Sequence, residues 1–186
     1  MKRYKMNKIF FIIILILSTL LVFLNFVDLN FDNGGLKGDC FQVEEKIVRG
    51  HSFSPYINPG TKIEVLLNYY DCQEIKRGDI VLFNYAGNKD PLIKVVKGIP
   101  GDKFELIETI GGWNIVINNS IVKNFENQPY IISGNKYKML SLYERDYNGV
   151  IPVNAYLLLS NQSSGSIDST VFGLVDKSSI IAKVKI

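Results

Sequence analysis

The chain has 186 residues, 47% of them hydrophobic, and a formal charge of +3. That length holds one domain of roughly 100–150 residues plus a short extra segment. Lys2, Arg3, Lys5 and Lys8 account for the positive excess, so the rest is close to neutral and a nucleic-acid-binding face is excluded. Two cysteines without a CxxC motif and one histidine are too few for a metal centre.

The first element in chain order is an apolar run from Ile9 to Leu24, relieved only by Ser18 and Thr19. It continues past Asn25 and Asp28 to Leu29. About 20 mostly apolar residues cross a bilayer as a helix. A cleavable leader would have a shorter apolar core and a small-x-small site, whereas Asn25-Phe26-Val27-Asp28-Leu29 follows here. Basic residues precede the run, and Asp28, Asp32 and Asp39 stand at or after its end. This charge order keeps the N-terminus cytoplasmic and exports the remainder. The expected organisation is a basic segment at 1–8, a single-pass membrane anchor at 9–29, a linker at 30–42 and an extracytoplasmic domain at 43–186. Outside the cytoplasm Cys40 and Cys72 can be joined or free, since sequence does not place the two sulfurs.

Short β-rich runs broken by turn residues fill the exported part. Strands are predicted at Lys46–Arg49, Lys62–Leu67, Asp79–Tyr85, Leu92–Lys97, Lys103–Thr109, Trp113–Asn118, Ala155–Ser160 and Ile180–Ile186. Gly111-Gly112 and Asn118-Asn119 read as hairpin turns. One short helix is predicted within Asn135–Arg145. The fold class is mainly β with antiparallel pairing.

Two residues carry chemistry. Ser52 lies in Gly50-His51-Ser52-Phe53-Ser54-Pro55, and Lys94 lies in Leu92-Ile93-Lys94-Val95-Val96-Lys97. A serine hydroxyl becomes a nucleophile once a neighbouring base takes its proton. A lysine serves as that base when burial pushes its pKa towards neutral. Lys94 stands among apolar residues on a strand with one buried face, and Lys97 is expected on the opposite face, in solvent. Taken alone, Ser52 reads more readily as an ordinary turn serine near Pro55 and Pro59-Gly60, and Lys94 can be read as a solvated strand lysine. His51 does not complete a triad with Ser52, because adjacent side chains diverge in extended chain. Gly98, Pro100, Gly101 and Asp102 read as a tight structural turn.

Four segments, in order, resemble the type I signal peptidases, the serine–lysine peptidases that remove signal peptides. Gly50-His51-Ser52-Phe53-Ser54-Pro55-Tyr56-Ile57 is similar to the family's Ser-Met-x-Pro-x-Leu box, and Arg77-Gly78-Asp79-Ile80-Val81-Leu82-Phe83 to its Gly-Asp-Ile-Val-x-Phe strand. Ile93-Lys94-Val95-Val96-Lys97-Gly98-Ile99-Pro100-Gly101-Asp102 resembles its Lys-Arg-x-x-Gly-x-Pro-Gly-Asp box. Ser166-Ile167-Asp168-Ser169-Thr170-Val171-Phe172-Gly173-Leu174-Val175 resembles its Ser-x-Asp-Ser-Arg-x-x-Gly-x-Val box. Each box is weak alone; the ordered set behind an anchor is strong.

The resemblance implies that Ser52 is the nucleophile, Lys94 the general base, Ser166 the group orienting the lysine amine and Asp168 a support of the framework. It places the oxyanion at the Ser52 N–H, with Gly50 where many members carry a second hydroxyl donor. Val48, Phe53, Ile57, Leu92 and Ile93 would shape shallow pockets for small substrate residues, the substrate adding as a strand. The implied partners are signal-peptide-bearing preproteins and the lipid bilayer, and no metal or cofactor is required. The chain departs from the pattern at Phe53, at Val95 and Thr170, where the family has arginines, and at Ser160-Asn161-Gln162, where it has Gly-Asp-Asn. A dedicated peptidase of the same superfamily, of the conjugative-transfer, pilin-processing kind, and a non-catalytic anchored β-domain remain the alternatives.

Overall fold

In the computed structural model, residues 40–86, 90–162 and 166–186 are described. The predicted basic segment, the anchor at 9–29 and the linker up to residue 39 lie outside the described residues. Among the described residues no helix is long and apolar enough to cross a membrane.

Strands form where apolar residues alternate with polar ones. In β2 (Lys62–Leu67), Ile63 and Val65 point inward while Lys62 and Glu64 face solvent. β2 pairs on one side with β1 (Gln42–Ile47) and on the other with β11 (Ile180–Lys185). β11 continues to β3 (Ile80–Phe83), β3 to β4 (Leu92–Gly98), β4 to β9 (Ala155–Leu159) and β9 to β10 (Val175–Asp176). The result is a seven-stranded antiparallel sheet ordered β1-β2-β11-β3-β4-β9-β10. A second, four-stranded sheet joins β5 (Phe104–Thr109), β6 (Gly112–Ile117), β7 (Ser120–Ile121) and β8 (Ile131–Ile132).

The two β6 turns follow their residues. Asn118 and Asn119 link β6 to β7 with φ of 48° and 64°. Asparagine tolerates those left-handed values, which a two-residue hairpin loop requires. The β5–β6 turn is Ile110-Gly111, because Gly112 already pairs with Thr109. One residue of sequence register separates this from the predicted Gly111-Gly112 turn.

β9 connects the two halves of the core. Leu158 packs with Val96, Val81 and Tyr156, while Leu157 and Leu159 pack with Phe104, Ile115, Tyr130 and Ile151 beneath the second sheet. On the face of the large sheet opposite Leu158, which Val95 shares with its partner Leu159, Val65, Ile80, Leu82, Val95 and Val184 gather with Val48, Phe53 and Ile57. Gly98 closes the junction: a Cβ there would overlap Ile151 and lie 3.1 Å from the Leu157 Cβ. The predicted helix is present as α1 (Gly134–Asp146), held by fully buried Leu140 and by Tyr137 stacked 3.9 Å from Trp113.

Cys40 and Cys72 form a disulfide that ties the start of the described chain to the turn after β2, with Cα atoms 6.0 Å apart. Every residue of β1 is exposed or half-buried, so little core packing holds this edge strand in place. The disulfide closes a loop with a sequence separation of 32. A loop of that size stabilises by about 3–4 kcal/mol in the chain-entropy model. Reduction is therefore expected to lower the thermal midpoint by several degrees, read by circular dichroism with and without reductant; an unchanged midpoint would show the loop to be already constrained.

Candidate active site

Ser52 sits in a turn that leaves the large sheet after Val48. The Val48 N–H donates to Thr61 O (2.9 Å) and the Gly60 N–H to Val48 O (2.8 Å), closing the base of the excursion. Within it the Ser54 N–H donates to His51 O and the Ile57 N–H to Phe53 O. Phe53 (1% exposed) and Ile57 (2%) anchor the turn in the core and leave Ser52 half-buried at its head. Burying two such side chains is worth roughly 4 kcal/mol, which opposes melting of an otherwise irregular segment. The Ser52 carbonyl accepts from the Asn161 N–H (2.9 Å) and the Gln162 N–H (3.2 Å).

Lys94 is in β4, opposite Val81 of β3, and is only 2% exposed. Its Nζ donates to the Ile93 carbonyl at 2.9 Å. Burial pushes its pKa down to about 8, the nearby Asp168 carboxylate partly opposing that shift. Val95 pairs with Leu159, the last residue of β9. The chain leaves β9 at Ser160 and reaches Asn161, which holds Ser52. The Lys94 strand and the Ser52 turn are thus joined through the short stretch Leu159–Gln162.

Asp168 is 2% exposed and caps α2 (Ser169–Phe172). It accepts from the Ser160 N–H (3.1 Å), the Thr170 N–H (3.0 Å) and the Thr170 hydroxyl (2.6 Å). Thr170 therefore partners the carboxylate from the position where the resemblance leads one to expect an arginine. Asp168→Ala strands these donors, and an unfolding free energy lower by about 3 kcal/mol is expected. Asp168→Asn removes the charge that opposes Lys94 deprotonation, so the Lys94 pKa falls further in that variant. Urea unfolding and the acid limb of the rate profile measure the two effects.

The remaining sequence candidates divide. Ser166 is half-buried, and among the described residues no hydrogen bond joins it to Lys94, whose amine turns to the Ile93 carbonyl instead. Val48, Phe53 and Ile57 are core residues at 5%, 1% and 2% exposure, with Ile93 packed against the same cluster. Leu92 packs on the other face, with Val81, Phe83 and Val96, because strand residues alternate sides. Gly50 is exposed, and a Cβ there would meet nothing within 4 Å, so packing does not dictate a glycine. His51 is exposed. Lys97 is not the solvated lysine predicted: it is half-buried, donates to Lys123 O at 2.6 Å and lies 5.2 Å from the Phe125 ring.

Sequence reasoning treated two residues only as departures. Ser160 is fully buried, its carbonyl accepts from the Tyr130 hydroxyl (2.6 Å), and its own hydroxyl has no partner among the described residues. Asn161 is also fully buried and makes polar contacts to two segments, the Ser52–Ser54 turn and the 124–126 loop. A polar pair closing an apolar strand was the available signal, because buried polar groups are rarely placed without partners.

Residues 38–186 match the family described as Signal peptidase, peptidase S26. The chain is 28% identical over 157 residues to Signal peptidase IB of Staphylococcus aureus (strain N315), covering 77% of this chain and 76% of that one. It is 28% identical over 147 residues to Signal peptidase I of Bacillus caldolyticus, covering 77% and 78% respectively. The crystal structure of a signal peptidase I from Enterococcus faecalis V583 is similar at 20% identity and a TM-score of 0.42, covering 58% of this chain and 94% of that one.

Proposed function

The chain belongs to the signal peptidase family, peptidase S26, and is a serine peptidase of that family; we propose that it removes signal peptides from exported preproteins with Ser52 as nucleophile and Lys94 as general base. Burial of Lys94 is the observation that carries this assignment. An amine with a pKa near 8 is neutral in a useful fraction of molecules at physiological pH, whereas a solvated lysine is not.

Neutral Lys94 takes the Ser52 hydroxyl proton as Oγ attacks the substrate carbonyl carbon. The carbonyl oxygen becomes an oxyanion that the Ser52 N–H faces. Collapse expels the amine of the mature protein, which takes the proton from the Lys94 ammonium, and leaves an acyl-enzyme. Water then gives a proton to Lys94 and attacks the ester, and the Lys94 ammonium returns that proton to Ser52 Oγ as the signal peptide is released. Lys94 needs no net change over the cycle, and Asp168 fixes the Ser160 backbone beside it. The substrate enters as an extended strand: β4 pairs with β3 along Leu92–Val95 but with β9 only from Val95 onward, so among the described residues no strand covers the other edge of Leu92–Lys94.

The segment 9–29 holds the enzyme in the cell membrane with the catalytic body outside the cytoplasm. The Cys40–Cys72 disulfide supports that side of the membrane, since such bonds persist in oxidising compartments. Detergent-solubilised full chain incubated with an Ala-x-Ala preprotein should cut after the second alanine, as read by product mass. Intact preprotein would overturn the signal-peptide reading.

A further inference from the structure

We propose that Asn161 is the positioning residue of the nucleophile turn, and that it acts through the 123–128 loop of the second sheet. The inference rests on Ser52 being the nucleophile but adds residues that the family resemblance does not supply.

Asn161 is fully buried, and its polar groups are divided among the turn and the loop. Its backbone N–H holds Ser52 O at 2.9 Å, and its Nδ2 donates to Ser54 O at 3.3 Å. The same Nδ2 donates to Glu126 Oε1 at 3.0 Å, while its Oδ1 accepts from the Phe125 N–H at 2.9 Å. Its carbonyl accepts from Asn124 Nδ2 at 3.1 Å. Asn124 in turn organises the loop, its Oδ1 accepting from the Glu126 and Gln128 N–H groups and its Nδ2 also donating to Glu126 Oε2. At the surface Tyr56 of the Ser52 turn stacks on Phe125, ring centroids 4.2 Å apart.

The loop has a second attachment. Lys97, three residues after Lys94 on β4, donates to Lys123 O and lies over the Phe125 ring. One loop therefore grips the Ser52 turn through Asn161 and the Lys94 strand through Lys97. That arrangement fixes the separation of nucleophile and base from outside the sheet that carries the base. Misplacing a reacting group by about 1 Å costs on the order of 10²-fold in rate, so loosening the brace should act on kcat.

The bond polarity supplies the test. Asn161→Asp keeps the acceptor facing the Phe125 N–H but turns an oxygen towards Ser54 O and Glu126. Glu126→Gln then offers an amide donor to that oxygen, restoring the link with its direction reversed. For Asn161→Asp, kcat on an Ala-x-Ala preprotein should fall by on the order of 10²-fold with KM nearly unchanged. Adding Glu126→Gln should recover at least about tenfold of that loss, since a charge-assisted bond replaces a repulsion. Lys97→Met, which releases the other attachment while leaving Asn161 intact, should also lower kcat without raising KM.

Wild-type kcat in Asn161→Asp, or no recovery in the double variant when both unfold at the wild-type midpoint, overturns the proposal. If Asn161→Asp fails to fold, Lys97→Met decides: wild-type kcat there overturns it. Ser52→Ala, run alongside, separates the two ideas. Should the wild-type chain cut nothing, the functional reading fails, and amide exchange across residues 48–60 judges the brace. Faster exchange in Asn161→Asp that the double variant reverses upholds it; unchanged exchange overturns it.

Discussion

Ser52→Ala is expected to lower kcat on an Ala-x-Ala preprotein by at least about 10⁴-fold, leaving at most the rate that binding and oxyanion contacts alone supply. Stability should change by no more than about 0.5 kcal/mol. The turn is held by the Ser52 carbonyl and by buried Phe53 and Ile57, and all of these survive the substitution. No hydrogen bond to the Ser52 hydroxyl is present among the described residues, so its removal strands no donor. Mass analysis of the product and a urea titration measure the two quantities. Cleavage at the wild-type rate would remove Ser52 from the chemistry.

Lys94→Met is expected to abolish cleavage to the same degree while making the protein more stable at neutral pH. Nucleophile and base act as a unit, so the double variant should be no slower than either single one. The stability effect follows from the sign of the pKa shift. Burial lowers the Lys94 pKa from 10.5 to about 8, so the fold disfavours the charged amine. Below about pH 8 the ammonium is retained in both folded and unfolded chains, and the folded state bears the full penalty. Between about 8 and 10.5 the folded amine is neutral while the unfolded one is still charged, so stability rises with pH across that window. A shift of this size corresponds to at most about 3 kcal/mol. Methionine keeps most of the stem's volume without the charge. Its advantage should be largest at pH 7 and fade by about pH 10.5, as urea unfolding at both values would register. A variant less stable than wild type at both would mean that Lys94 is well solvated in the fold.

The strands were the most legible part of the sequence. Lys62–Leu67 is predicted and observed with the same bounds because it alternates through Val65 and both neighbouring strands pair with it. β1 is observed at Gln42–Ile47 rather than the predicted Lys46–Arg49. Its residues are mostly polar and exposed, and pairing with β2 together with the disulfide defines it more than its own pattern does. β7, β8 and β10, of two residues each, leave no period to read and exist only through their partners.

At the site, burial of Lys94 and the lowered pKa that follows from it were legible from its apolar neighbours, whereas the hydrogen-bond partner of its amine was not. Sequence assigned the lysine an orienting partner in Ser166, yet its amine turns to the Ile93 carbonyl. The alternation rule that buries Lys94 also separates Leu92 from Ile93, a division that a list of pocket residues conceals. Thr170 and Asn161 show why departures from family boxes read poorly in sequence. Asn161 takes its meaning from partners in distant segments, Ser52, Ser54 and Glu126, whereas Thr170 replaces an absent arginine by answering Asp168 from within the same helix cap.

The pH dependence of kcat/KM for the full-length wild-type enzyme tests the lysine base most directly. One ionisation at about pH 8, with activity rising as the amine loses its proton, is the expected result. A flat profile through the alkaline range would contradict it.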